Sequence, residues 1–332
     1  MLSLFAIIPD YDLDITQSGH TVTETSSMVF QSFNEVLADC QPDMVLVRCE
    51  SSLTMAAAMA AHNHNIPIGH LAGFRAEAIA SPDEPVLNCR LINIVAACHF
   101  VTTQEEKQLL QGEGVDEKAI FVTGNTVIDA LLEIAQMLRT NPKLLKRVAC
   151  KFQYLRPNKY LVLVIDHHRK NFSTGMEQIC WALKMMTDQE PKMEIVYPLP
   201  DNPKILEPVK TILNSSKSVH LIKPLDYLPQ VYLMNRCRIV ITNSCQVEEE
   251  APSLGKQVLV TRNTTERSEA VRAGTVKLVG TNPIIISGEA LAIIRNKNHF
   301  QRKSKLYNPY GDGQAASRIV AMLPTAMRWA WA

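Results

Sequence analysis

Residues 238–261 read RIVITNSCQVEEEAPSLGKQVLVT. The stretch opens on a short β-branched run, RIVIT (238–242), and closes on another, QVLVT (257–261). Between them a turn at Asn243 and Ser244 leads into a helix-like segment, VEEEAPSLGK (247–256), which ends at a glycine. Strand, helix and strand in succession make a βαβ unit with parallel strands. Both runs are apolar at consecutive positions rather than alternate ones. That is the pattern of strands covered by helices on both faces.

The same alternation extends outward over the whole chain. Further strand runs are MVLVR (44–48), IPIGHL (66–71), HFVTT (99–103), IFVTG (120–124), YLVLVI (160–165), EIVYPL (194–199), VHLI (219–222) and VKLVG (276–280). Helical patterns fill the gaps: 23–40 with a Thr near its start, the alanine-rich 52–64, 103–114 with a Thr cap and closing glycines, and 176–188. A long helical segment with a proline break at 125–155 marks a boundary, after which a fresh strand series begins. The expectation is an α/β chain of two doubly wound, Rossmann-like parallel-sheet domains with a cleft between them. The domains are expected at 1–125 and 126–315, with a tail at 316–332 that packs back on the first domain or frays.

Composition narrows the function. A chain of 332 residues suits two domains. With 34 basic and 33 acidic residues the formal charge is +1, so no electrostatic footprint points to nucleic acid or an anionic membrane. The eight cysteines are scattered without a C-x-x-C pair and read as reduced thiols, mostly small buried hydrophobes. No apolar run has membrane-spanning length, and the start, MLSLFAIIPDYDLD, lacks a basic n-region. These features lead to the expectation of a cytoplasmic protein. No metal is expected, and His62 and His64 read as solvated residues at a helix end.

Four segments carry candidate chemistry. YLVLVIDHHRKNF puts His167, His168 and Arg169 directly after a buried strand, where histidine can act as acid or base and arginine can hold phosphate. An ordinary polar loop fits that position equally well. In the 238–261 unit, a strand-to-helix turn aims backbone N–H groups at an anion. Glu248 to Glu250 are expected in the first helical turn, as helix-end acids or as acceptors for ribose hydroxyls. RNTTERSEAVRAG (262–274) adds Arg262, Glu266 and Arg267, and NPYGDGQAASRI (308–319) is a turn cluster before a helix. The residues alone point to a nucleotide or sugar-phosphate site.

These segments, with FVTGNTVIDALL, IVYPLPDNPKILEPV and PDYDLDI, closely resemble the bacterial non-hydrolysing UDP-N-acetylglucosamine 2-epimerases. The resemblance runs from Met1 to about Ile319. It implies a GT-B-like fold and interconversion of UDP-GlcNAc and UDP-ManNAc, without a cofactor. It also implies a homodimer that serves envelope polysaccharide precursors. The implied reaction eliminates UDP to a glycal and adds it back after C2 inverts, which requires a base, an acid and donors for the diphosphate. Carried over by motif, His167 matches the strand-end His-Arg histidine, and Arg169 that motif's second arginine. Ser244 matches the phosphate-holding serine, Glu250 the ribose-binding glutamate and Arg267 the arginine of Thr-Thr-Glu-Arg.

Several matched positions depart from the family pattern. The family's Gly-Thr-Arg-Pro-Glu loop and its opening β-α-β unit lie upstream of the match, so the first sheet is expected to have an exposed edge or face. His-Gly-Asp-Thr reads Arg48-Cys49-Glu50-Ser51, which keeps a carboxylate one methylene longer. His-Val-Glu-Ala-Gly-Leu-Arg reads HLAGFR (70–75), without its glutamate, and Pro-Glu-Glu-x-Asn-Arg reads DEPVLNCR (83–90), leaving Glu84. The Ser-Gly-Gly turn reads Ser244-Cys245-Gln246, whose side chains obstruct the approach glycine permits. The candidate catalytic groups are therefore His167, Glu50 and Glu84, and the expected turnover is weak or lost. The alternative is a non-catalytic nucleotide-sugar binder or a partner subunit of a complete epimerase.

Overall fold

The computed structural model describes residues 2–15, 21–48, 51–71, 84–166, 173–265, 267–296 and 308–330, with the backbone alone at 84–86 and 329–330. The chain forms two compact units. Unit 1 comprises Met1–Thr126 and Gly313–Ala332, and unit 2 comprises Val127–Asp312. Every strand run read from the sequence forms a strand, and every described pairing is parallel.

Unit 1 holds a four-stranded sheet in the order β1 (Val45–Arg48), β2 (Ile68–Leu71), β3 (Cys98–Val101), β4 (Ile120–Val122). One face packs on α1 (Val22–Cys40) and α2 (Ser52–Asn63). Thr21 starts α1 with a reciprocal capping box: its hydroxyl accepts the Glu24 N–H at 3.2 Å, and the Glu24 carboxylate accepts the Thr21 N–H at 2.7 Å. In α2 the alanines Ala58, Ala60 and Ala61 are buried, and small side chains let the helix lie close to the sheet. Helices α3 (Glu84–Val95) and α4 (Gln104–Gly112) follow, and Thr103 caps α4 through the Glu106 N–H at 3.2 Å. The C-terminal helix (Ala315–Ala330) belongs to this unit. Its Ile319 and Ala326 pack on Cys98 and Phe100, and Arg318 donates to the Thr123 carbonyl at 3.1 Å. Among the described residues β1 is not covered on both faces. It is an outer strand: Val47 is buried, while Leu46 is 42% exposed.

Unit 2 begins with α5 (Thr126–Thr140) and α6 (Pro142–Ala149), separated by the Asn141-Pro142 break, where Asn141 caps α6. Its six strands are β5 (Tyr160–Ile165), β6 (Met193–Pro198), β7 (Val219–Ile222), β8 (Ile239–Thr242), β9 (Gln257–Val260) and β10 (Val276–Leu278). They lie in the order β10-β9-β8-β5-β6-β7. That is the dinucleotide-fold order, with the winding reversing between β5 and β8. The connecting helices are α7 (Thr174–Gln189), α8 (Pro203–Leu213), α9 (Tyr227–Arg236), α10 (Cys245–Ser253) and α11 (Ser268–Arg272), and α12 (Pro283–Arg295) follows β10. Alternate residues Val162 and Val164, with Ile239, Ile241 and Leu259, form one core face against α7 and α12. Leu161, Leu163 and Ile165 are buried on the other face. Each such side chain contributes about 1.5–3 kcal/mol on burial, which explains why the central strands are continuous apolar runs.

Among the described residues no helix is long and apolar enough to cross a membrane. The cysteines Cys89, Cys98, Cys180 and Cys237 are buried, Cys40 and Cys150 are exposed, and Cys245 is half-buried. His62 and His64 are exposed, and His64 Nε2 lies 2.9 Å from Asn34 Oδ1.

Candidate functional site

The carboxyl end of β8 leads into α10 through Asn243 and Ser244. Thr242 Oγ1 donates to the Ile165 carbonyl of β5 at 2.6 Å and accepts the Ser244 N–H at 3.0 Å, so the turn is anchored to the neighbouring strand. Ser244 has extended backbone angles and takes the N-cap position, which serine favours. Its hydroxyl makes no capping bond to its own helix.

The helix therefore starts at Cys245, earlier than the expected Val247, and this moves the acidic run. Only Glu248 falls in the first turn, with Glu249 and Glu250 beyond it. None of them is a solvated helix-end acid, since Glu248 and Glu250 are 0% exposed and Glu249 is 4% exposed. Consecutive helical residues point about 100° apart, so the three carboxylates face three different partners.

Glu248 accepts from Arg262 Nη2 and from Thr265 Oγ1, both at 2.6 Å. The same Arg262 nitrogen lies 3.3 Å from Cys245 Sγ. Glu249 forms an ion pair with Arg267, whose guanidinium stands 6.0 Å from the Tyr310 ring centroid. Asn308 Nδ2 donates to the Glu249 carbonyl at 2.8 Å and holds the segment after α12 against α10. Glu250 Oε1 accepts from Tyr227 OH of α9 at 2.8 Å and from Gln246 Nε2 at 2.7 Å. Burial, and then the facing Glu250 carboxylate, pushes the Tyr227 phenol above its ordinary range. Burial and Glu269 do the same for Tyr310. Buried carboxylates persist only with such partners.

Of the residues singled out in the sequence, Ser244 and Glu250 lie at the start and in the body of α10. Arg267 stands just before α11 and is tied to α10 through Glu249. Glu84 opens α3 in unit 1. His167, Glu50 and Arg169 lie outside the described residues, as does Glu266. Sequence reasoning passed over Asp166, Tyr227 and Asn308 as contributors, because an isolated polar residue beside a strand or helix carries no pattern.

Among the described residues no group of three His, Cys, Asp or Glu side chains could hold a metal ion. A cavity of about 630 Å3 in unit 2 is bordered by Leu132, Tyr232 and Leu254, and none of the site residues described above lines it.

The resemblance of Ser244-Cys245-Gln246 to a Ser-Gly-Gly turn implies a glycine at Gln246, whose amide donates to Glu250 Oε1 at 2.7 Å. Gln246→Gly is expected to tighten UDP binding about tenfold, the equivalent of ~1.4 kcal/mol, by releasing that carboxylate and clearing the turn. Titration calorimetry reads the change, and an unchanged Kd would remove Gln246 as an obstruction.

The strand order of unit 2 and the anchored turn at its winding reversal define a doubly wound α/β protein of the nucleotide-binding type. The sequence profile described as UDP-N-acetylglucosamine 2-epimerase matches residues 1–324. The chain is 44% identical over 324 residues to the UDP-N-acetylglucosamine 2-epimerase of Escherichia coli K12, covering 97% of this chain and 86% of that protein. It is 39% identical over 328 residues to the enzyme of that name from Campylobacter jejuni, covering 97% and 85%. Among solved structures, the UDP-GlcNAc 2-epimerase of Neisseria meningitidis bound to UDP-GlcNAc is similar at a TM-score of 0.89 with 38% identity, covering 98% of this chain and 87% of that one. An S. aureus MnaA structure with UDP is similar at 0.85 with 34% identity, covering 99% and 86%. The chain belongs to the UDP-N-acetylglucosamine 2-epimerase family.

Proposed function

We propose that this protein binds UDP-GlcNAc and interconverts it with UDP-ManNAc, at a rate below that of relatives with the full set of family motifs. The observation that carries this reading is the anchored Ser244 turn at the winding reversal of unit 2, backed by Glu249 paired with Arg267. Backbone N–H groups at the start of a helix favour the diphosphate that leaves and returns. In this reading Ser244 and Arg169 hold phosphate, Arg267 lies on the nucleotide side, and Glu250 accepts from ribose once Gln246 gives way. His167, Glu50 and Glu84 divide the proton transfers at C2 and the leaving group. The lower rate follows from the missing glutamate of the HLAGFR segment, since removing one placed acid or base lowers rate by about a hundred- to ten-thousandfold.

The test is proton NMR of UDP-GlcNAc incubated with the protein in deuterated water. Loss of the C2 proton signal and growth of UDP-ManNAc are the expected result. Binding of UDP without exchange at C2 would replace this reading with a nucleotide-sugar binder. The family resemblance supports the further proposal of a cytoplasmic homodimer serving envelope polysaccharide precursors. A monomer mass in light scattering would remove the dimer from it.

A further inference from the structure

In a doubly wound sheet the ligand crevice lies outside the carboxyl ends of the strands where the winding reverses. Here those strands are β5 and β8, and the residues that follow them are Asp166 and Asn243. Their side chains meet, with Asn243 Nδ2 donating to Asp166 Oδ1. From β6, on the other side of β5, Tyr197 OH donates to Asp166 Oδ2 at 3.3 Å. The Thr242 hydroxyl makes a second link from this turn to β5 through the Ile165 carbonyl. The turn that presents Ser244 is thus tied twice to the end of β5, once through a hydroxyl and once through a carboxyl group.

That carboxyl is half-buried. Tyr197 is 0% exposed, and Asn243 is half-buried. Burial pushes Asp166 up to about 6, while the bonds from Tyr197 and Asn243 pull the other way. Among the described residues, Tyr197 of β6 and Cys180 of α7 are titratable groups that face it. Burial holds both neutral, the thiol pushed up to about 12 and the phenol well above its ordinary range. Thr242 and Asn243, from the turn, carry no charge. His167 and His168 follow Asp166 in the chain.

We infer that Asp166 is a positioning residue of the nucleotide turn. It holds Asn243 and Ser244 in place and sets, through its own charge, how strongly the turn attracts a nucleoside diphosphate sugar. The inference rests on the reading of Ser244 as a phosphate contact. An ionised carboxylate one residue from that contact repels a diphosphate, and a protonated one does not. By linkage the ligand binds best to the protonated form, so affinity falls as pH rises through the titration of Asp166. The phosphates of a nucleotide sugar are esterified and do not titrate in this range.

The experiment measures the Kd of UDP-GlcNAc by calorimetry from pH 5 to pH 8 for the wild type, Asp166→Asn and Asp166→Ala. Affinity of the wild type is expected to weaken about tenfold more across this range than that of Asp166→Asn. His167 and His168 are common to both, so their titration cancels in the ratio. Asp166→Asn is expected to bind more tightly than the wild type at pH 8. Asp166→Ala, which has lost the tie to Asn243, should bind more weakly than Asp166→Asn at every pH. Thermal melts of the same proteins supply a readout without ligand. A carboxyl whose folded pKa is raised from 3.8 to about 6 loses its stabilising contribution as pH rises through that window. Asp166→Asn should therefore gain on the wild type between these values and hold its gain above them. A wild-type to Asp166→Asn ratio of Kd that does not change with pH overturns this inference alone. No UDP-GlcNAc binding by the wild type at any pH, with the melting difference still titrating, overturns the nucleotide reading and this inference with it.

Discussion

Arg267→Ala is expected to destabilise unit 2 by about 3–5 kcal/mol and to weaken UDP binding by about a hundredfold. The Arg267 side chain is 12% exposed and pairs with Glu249, whose side chain is 5% exposed. Removing the guanidinium leaves a carboxylate out of water without its counter-charge, and that penalty exceeds the net worth of the pair itself. The contact over Tyr310 disappears with it, and so does part of what holds the 308–310 turn. Arg267→Lys retains the charge without the planar fork, and is expected to recover stability more fully than binding. Urea unfolding and calorimetry on the same preparations separate the two effects. If Arg267→Ala unfolds at the wild-type urea concentration, the pair does not support the fold. If it binds UDP with wild-type affinity, Arg267 has no place in the nucleotide site.

Acid should open unit 1 through two histidines. His70 of β2 and His99 of β3 are register partners, both 1% exposed, with ring centroids 6.1 Å apart. Burial lowers both from 6.5 to about 4. A bond between His70 Nδ1 and Asn93 Oδ1 opposes the shift at the first, and the charge of His70 reinforces it at the second. The folded pKa values lie below the unfolded ones, so the unfolded chain binds more protons between pH 6.5 and about 4. Stability present above pH 6.5 is thus lost as pH falls through this window, on the order of 3 kcal/mol for each imidazole. His99 Nδ1 is buried with no hydrogen-bond partner among the described residues, so an apolar replacement removes a liability rather than a bond. His99→Leu is expected to melt at or above the wild-type temperature at pH 7 and to show a shallower decline toward pH 4. Equal declines in the two proteins would locate the acid sensitivity elsewhere.

The two predictions also mark what reading the chain could and could not reach. The central strands were legible because burial on both faces turns each one into an unbroken β-branched or aliphatic run, as in YLVLVI and RIVIT. Turn chemistry was equally readable at Thr103 and the Asn141-Pro142 break, whereas the cap of α1 is Thr21, which precedes the segment read as helical. Glu248, Glu249 and Glu250 were visible as an acidic run, but their roles were not. A one-dimensional run cannot say which of three directions each side chain takes, and the early start of α10 turned all of them inward. Asp166 looked like the first residue of a polar loop. Its character comes from Tyr197 and Asn243, 31 and 77 positions away.

The sequence by itself determined the fold class, the alternation of strands and helices, and the family, because these depend on local periodicity and on long contiguous motifs. Only the tertiary structure decided which carboxylates are paired, which are shielded from water and which histidines are neutral. Those properties arise from desolvation and from charges on strands and helices far apart in the chain. They exist only once the sheet order has brought β5, β6 and β8 side by side.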